Sequence, residues 1–146
     1  MNYLKSTEDA LHGLIYITAS IEDEIILLPQ IAIALKCSES YLRKIFQTLT
    51  RSGLVIAQRG INGGYKLAKN PVEISVWDVI QATEGFNTSY YCHHEKMECN
   101  LHDDCLMRKC FILANEEMKR VLSSVNLKML AKEMKNANWF KYYLWR

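Results

Sequence analysis

The chain has 146 residues, 49% of them hydrophobic and 23% charged, with a formal net charge of +2. A chain of this length suits one domain, or a compact domain with a dimerising extension, and buries roughly 68–70% of its unfolded surface, which excludes dependence on a covalent staple. The charge balance excludes a uniformly basic molecule, so any surface for a polyanion has to come from local clustering. Glu8 and Asp9 precede a short apolar stretch where a secretory leader would carry only basic residues, and no apolar run approaches the roughly eighteen residues of a membrane span. A soluble, cytoplasmic protein with no membrane partner is expected. In that compartment thiols stay reduced, so the five cysteines are better read as metal-binding or redox groups than as disulfide partners.

Along the chain, Ala10, Leu11, Leu14, Ile15, Tyr16 and Ile17 fit a helical stripe over residues 6–20, with Ser6 or Thr7 as N-cap and acids in the first turn. After the acidic turn IEDE, LLPQIAIALKC reads as a second helix with Pro29 near its first position and Ile31, Ile33, Ala34 and Leu35 on its apolar side. A short turn around Lys36 and Cys37 leads to a third helix, SESYLRKIFQTLTRSG. Ser38 or Ser40 would cap it, Leu42, Ile45, Phe46 and Leu49 would face inward, and Gly53 would stop it. LVIAQRGINGGYKLA then predicts a hairpin with strands at 54–58 and 64–68, its turn drawing positive backbone angles from Asn62, Gly63 and Gly64.

Asn70 and Pro71 break the pattern, and SVWDVIQATEG follows as a fourth helix capped by Ser75. The next segment holds four of the five cysteines and three of the four histidines, lacks apolar periodicity, and reads as a loop. From about Leu106, the residues Phe111, Ala114, Met118, Val121, Leu122 and Val125 recur at three and four, which marks a long amphipathic helix. The tail NWFKYYLWR is dense in aromatics and is expected to pack on the body or on a partner.

The fold class expected is mainly α: a winged helix-turn-helix with a two-stranded β-hairpin wing and a long C-terminal dimerisation helix. Residues 1–84 would form the DNA-binding domain, 85–106 a cysteine-rich cluster-binding loop, and 107–146 the dimerisation helix and aromatic tail. A helix-turn-helix with an arginine at the hairpin tip lets one helix enter the DNA major groove while the loop reaches the adjacent backbone or minor groove. Ser40 and Tyr41, near the start of the third helix, would contact phosphate. Arg43 would offer a bidentate pair to a guanine edge, worth about 1–3 kcal/mol of discrimination. Lys44, Arg51, Arg59 and Lys66 add phosphate-directed charge, and Gly60 and Asn62 at the wing let the backbone come close. The plainer reading is a solvated basic helix.

Cys92, Cys99 and Cys105 are spaced C-x6-C-x5-C, with Cys110 further on. Zinc sites usually present pairs two to four residues apart, because a tight knuckle aims two sulfurs at one ion. The wider gaps favour an iron–sulfur cluster, in which each thiolate reaches a different metal atom. Zinc, and ordinary buried or redox thiols, stay open on spacing alone. Cys37, at a turn, reads as a small buried filler and Cys110 as a structural cysteine, with replacement ligand or redox partner as its alternatives. His93 and His94 read as solvated loop residues.

Over residues 7–130 the chain resembles the IscR/NsrR family of bacterial winged-helix iron–sulfur transcription regulators. The resemblance is carried by SYLRKIFQTLTRSGLV, the wing RGINGGYKLA, the helix WDVIQATEG, the three spaced cysteines and VLSSVNLKML. It implies a homodimer paired through long C-terminal helices and a 2Fe-2S or 4Fe-4S cluster near the dimer seam, held by Cys92, Cys99 and Cys105. It further implies control of promoters, as a repressor or other regulator, in response to cluster loss, assembly or modification. By position, Glu8 matches the first-helix carboxylate that completes the cluster from the other subunit in members that sense nitric oxide. The alternatives are His12, one turn further along the same face, and His102. Met107 stands where cluster-biogenesis members have a histidine, so that assignment fails. Glu8 also has a plainer role, since an acid in a first turn favours a helix N-terminus. Ile61 departs from the proline often found at the wing tip, and Arg43 replaces an acidic base-reading residue of some relatives.

The function expected is therefore a dimeric regulator that binds a double-stranded DNA operator. It would sense nitric oxide, redox or iron–sulfur status through a labile cluster, with a small-molecule effector such as nitric oxide. One alternative keeps the DNA function and makes the cysteines a zinc or thiol switch. Another is a small redox protein in which the helix-turn-helix is scaffold. An enzyme is not expected: no nucleophile–base pairing and no phosphate-cradling loop is visible, since NGG belongs to a hairpin turn.

Overall fold

The computed structural model of the chain describes residues 4–20, 25–60, 63–85 and 105–137. The elements, in order, are helix α1 (Lys5–Ala19), α2 (Leu28–Leu35), α3 (Glu39–Arg51), strands β1 (Val55–Gln58) and β2 (Gly64–Leu67), a 3-10 turn (Pro71–Glu73), α4 (Val76–Glu84), α5 (Leu106–Ser123) and α6 (Leu127–Asn136).

Local chemistry accounts for most of the boundaries. Ser38 caps α3, its hydroxyl accepting from the Tyr41 backbone N–H, and Gly53 takes a φ of +72° just past the helix end, the left-handed stop that glycine adopts without steric cost. Ser75 and Asp78 form a reciprocal capping box at the start of α4, and Gly85 closes its end with a φ of +61°. Asn70 turns the chain into the 3-10 segment by accepting from the Val72 N–H at 3.1 Å.

The first helix starts differently from the sequence expectation. Its N-cap is Leu4, with no side-chain cap, and both Ser6 and Thr7 lie inside the helix. The cap comes from α4 instead: Glu84 Oε1 accepts from the Leu4 N–H at 3.0 Å and from the Thr7 hydroxyl at 2.7 Å. A carboxylate satisfies helix N-terminal donors equally well when it arrives from a distant element. In α2, Ile33 was expected inward but is 69% exposed. Leu28, Ile31, Ala32 and Ala34 take the buried positions, which leaves Ile33 on the opposite side of a short helix. The turn after α2 is made by Lys36, a non-glycine residue at φ +51°.

The core lies where α1, α2, α3 and the wing meet. Phe46, Leu14, Ile31, Leu42 and Leu49 are fully buried, and each such side chain contributes about 1.5–3 kcal/mol over its exposed state. Gly13 of α1 makes the close approach possible: a Cβ there would sit 3.0 Å from Cε2 of Phe46. Phe46 also meets Tyr65 of β2, with ring centroids 4.7 Å apart and tilted by 55°.

The wing is antiparallel, with Val55 opposite Leu67 and Gln58 opposite Gly64. A third segment flanks it, since Ile26 and Tyr65 exchange both backbone hydrogen bonds at 2.9 and 3.0 Å. The turn glycines differ from expectation. Gly60 has the positive φ, +114°, whereas Gly63 and Gly64 do not. Those two are needed for space: a Cβ on Gly63 would be 2.5 Å from the Gln58 carbonyl oxygen, and one on Gly64 would strike the Ile26 carbonyl oxygen. Asn62 lies outside the described residues.

Beyond α5, the chain turns at residues 124–126 and returns to the body as α6, a helix that the sequence pattern does not separate from its predecessor. Asn126 caps it by accepting from the Met129 N–H. Leu127 and Ala131 are buried, α6 packs along α1, and the Leu127 N–H donates to Ile74 O while the Val76 N–H donates to Val125 O. The aromatic tail from residue 138 lies outside the described residues.

Candidate functional site

The outer face of α3 is the complement of its buried one. Leu42, Ile45, Phe46 and Leu49 turn inward, and Glu39, Ser40, Arg43, Lys44, Gln47 and Arg51 are exposed. The 3.6-residue period that buries one set must present the other. Gln47 was absent from the sequence reading. It stands one turn beyond Arg43 at the centre of this face, a position that the same periodicity marks, and its amide is of the kind that pairs with an adenine edge. Arg59 and Gly60, at the end of β1, are exposed, and Lys66 on β2 is half-buried.

Tyr41 is placed differently from its neighbours. It is half-buried, and its hydroxyl donates to Asp9 Oδ2 of α1 at 2.9 Å. Burial, followed by this hydrogen bond and the negative charge of Asp9, pushes the Tyr41 phenol up to about 12. The same junction holds Cys37, a half-buried free thiol that burial and then Asp9 push above its ordinary value. Cys37 packs against the core, half-buried rather than fully buried as the filler reading expects.

The cysteine segment is described only at its two ends. Cys92, Cys99 and His102 lie outside the described residues. Cys105 is a half-buried free thiol at the N-cap of α5, at the positive end of that helix dipole. Cys110 is a free thiol too, but exposed on α5 rather than packed inside. Glu8 is exposed in the first turn of α1 and His12 is half-buried one turn on. Among the described residues, no three His, Cys, Asp or Glu side chains converge as a metal site. A free thiol at a helix start and an exposed carboxylate nonetheless match the soft and hard donors that an iron–sulfur group with one weak ligand takes.

Among the described residues, α5 buries none of its side chains. It contacts α4, and Arg108, Ile112, Asn115, Met118 and Leu122 form a half-buried stripe along it. The stripe read from sequence is therefore divided: Met118 and Leu122 lie in it, whereas Phe111, Ala114 and Val121 are exposed. Leu106, at 80% exposed, and Leu113, at 61%, extend the apolar surface. No helix among the described residues is long and apolar enough to cross a membrane.

An exposed basic helix held by a short turn to a second helix, with a hairpin beside it, defines a winged helix-turn-helix protein. A family model, Rrf2, an iron-dependent transcriptional regulator, matches residues 3–133. The chain belongs to the Rrf2 family of winged-helix transcriptional regulators. Among its relatives, protein aau3 of Rhizobium meliloti is 34% identical over 95% of this chain and 90% of its own length. The HTH-type transcriptional regulator NsrR of Geobacillus kaustophilus is 35% identical over 87% of each chain. In structure, the chain is similar to CymR, the global cysteine regulator of B. subtilis, with a TM-score of 0.74 and 26% identity over 91% of this chain and 98% of that one. IscR of T. potens shares the fold at a TM-score of 0.72 and 21% identity, over 94% of this chain and 90% of that one. The family, NsrR and CymR are all described as regulators rather than enzymes, which sets aside the reading of a small redox protein with the helix-turn-helix as scaffold.

Proposed function

We propose that the chain acts as a homodimer that binds an operator in double-stranded DNA and changes its affinity with the state of a labile iron–sulfur cluster. The observation that carries this reading is the junction at Cys105, where the end of the cysteine segment is also the first cap of a helix with no buried residue of its own. A thiol and a helix with exposed apolar residues such as Leu106 and Leu113 thereby share one structural origin, as expected for a sensor built at a dimer seam. Cys92, Cys99 and Cys105 would supply the thiolates, and Glu8 of the other subunit the weaker ligand, with His12 and His102 as alternatives. A cluster held by three thiolates and one oxygen or nitrogen ligand supplies a site that nitric oxide or an oxidant attacks readily.

The chain's own residues do the DNA recognition. Arg43 and Gln47 on the outer face of α3 read base edges in the major groove, Ser40, Lys44 and Arg51 hold phosphates, and Arg59 with Gly60 and Asn62 brings the wing to the adjacent groove. A coupling of about 1–3 kcal/mol between cluster and DNA sites yields a 5- to 150-fold change in affinity.

Anaerobic purification with iron, sulfide and zinc analysis, followed by DNA titration of loaded and cluster-free protein, tests the reading. Brown protein that loses its colour in Cys99→Ala is expected, whereas colourless protein with stoichiometric zinc overturns it. Arg59→Ala should weaken DNA binding without bleaching the cluster, and affinity should fall steeply with salt. A thiol switch is the competing reading. It is favoured by the exposure of Cys110 and by the likeness to the oxidized form of Staphylococcus aureus CymR, at 26% identity and a TM-score of 0.66. It predicts a DNA response to oxidant in metal-free protein.

A further inference from the structure

The first turn of α1 alternates: Thr7 is buried, Glu8 is exposed and Asp9 is buried. The two buried side chains hold different elements. Thr7 donates to Glu84 at 2.7 Å and lies 2.8 Å from the Thr83 hydroxyl. Glu84 is the last residue of α4, just before the segment that carries Cys92 and Cys99. Asp9 accepts from the Tyr41 hydroxyl at 2.9 Å, and Tyr41 lies in the first turn of α3, between Ser40 and the exposed Arg43 and Lys44. Glu8 thus stands between a tie to the stem of the cysteine segment and a tie to the DNA-facing helix.

The packing around this turn favours transmission. One turn further along α1, Gly13 sits against Phe46 so closely that a single added methyl would be 3.0 Å from the ring. The close packing of Gly13 on Phe46 holds α1 against α3 one turn beyond Asp9, so a displacement of α1 at Glu8 would be felt first at Asp9. A phenol bound to a buried carboxylate is a charge-assisted hydrogen bond, and losing it leaves the carboxylate without its partner. Tyr41 follows Asp9 for that reason.

We infer that the Asp9–Tyr41 hydrogen bond passes the state of Glu8 to the DNA-facing helix, and that Tyr41 is a positioning residue rather than a phosphate contact. The inference rests on the reading of Glu8 as a cluster ligand. Its test compares Tyr41→Phe with the wild type, full-length and anaerobically purified, by DNA titration with and without the cluster. The wild type should show a ratio of affinities on the order of 5- to 150-fold; Tyr41→Phe should keep its iron, sulfide and colour while the ratio falls to within about twofold of unity. Asp9→Asn, which keeps an accepting oxygen, should retain most of the ratio.

If Tyr41→Phe weakens both forms by the same factor and keeps the ratio, Tyr41 touches DNA or merely supports the fold, and the inference is overturned. Wild-type protein without iron and sulfide overturns the cluster reading instead. In that case amide exchange of cluster-free protein still decides the contact. Tyr41→Phe should speed exchange in the first turns of α1 and α3 and leave the second half of α3 unchanged; unchanged exchange in both first turns refutes the tie.

Discussion

Helices α3 and α5 are both amphipathic, yet α3 buries Leu42, Ile45, Phe46 and Leu49 within its own chain while no residue of α5 is fully buried. The contrast separates two things that periodicity alone merges. A repeating apolar stripe states that a helix needs cover, but not which surface provides it. For α3 the cover is α1, α2, α4 and the wing. Among the described residues, α5 meets α4 and keeps a half-buried stripe, and its exposed apolar side chains fit the dimer seam proposed above.

Substitutions sharpen the contrast, beginning with the largest effect. Phe46→Ala removes a fully buried ring and should lower the unfolding free energy by about 3–5 kcal/mol in a urea titration. Val121→Asp on the exposed side of α5 should preserve the circular dichroism of the fold but shift sedimentation from dimer towards monomer. An unfolded Val121→Asp protein would show that α5 belongs to the core of one chain and would break the comparison.

Gly64→Ala is next. Its Cβ would strike the Ile26 carbonyl oxygen, so a loss of about 1–3 kcal/mol is expected from the strain, together with disorder of the wing visible by NMR. Ser75→Ala removes half of the α4 capping box and should cost about 1 kcal/mol by thermal melting. The smallest change belongs to α5 again. Arg120 and Glu117 form an ion pair at 2.8 Å with both side chains exposed, so Arg120→Ala should alter stability by no more than about 0.5 kcal/mol.

The candidate site was legible in the sequence to an uneven degree. The DNA-facing side of α3 could be read because its inward residues fix its outward ones; Gln47 shares that side but, being uncharged, carries no charge signal to mark it. Tyr41 could not be read in the same way. Its neighbours Ser40 and Arg43 point outward, but its hydroxyl meets Asp9, a residue thirty-two positions away in the chain, and no local pattern announces that contact. The Glu84 cap on α1 was hidden for the same reason, since Ser6 and Thr7 offered a local cap that the tertiary contact replaced.

By itself the sequence determined the helix-turn-helix, the hairpin, and the ends of α3 and α4, because caps, left-handed glycines and apolar periodicity act within a few residues of chain. Only the tertiary structure decided that Ile33 faces outward, that Gly63 and Gly64 serve close approach rather than turn angle, and that α6 folds back onto α1. It alone also decided that Thr7 and Asp9 tie α1 to two different elements. These features depend on which surfaces meet across long stretches of chain, and the free energy of such meetings comes from burial and from distant hydrogen-bond partners rather than from neighbours in sequence.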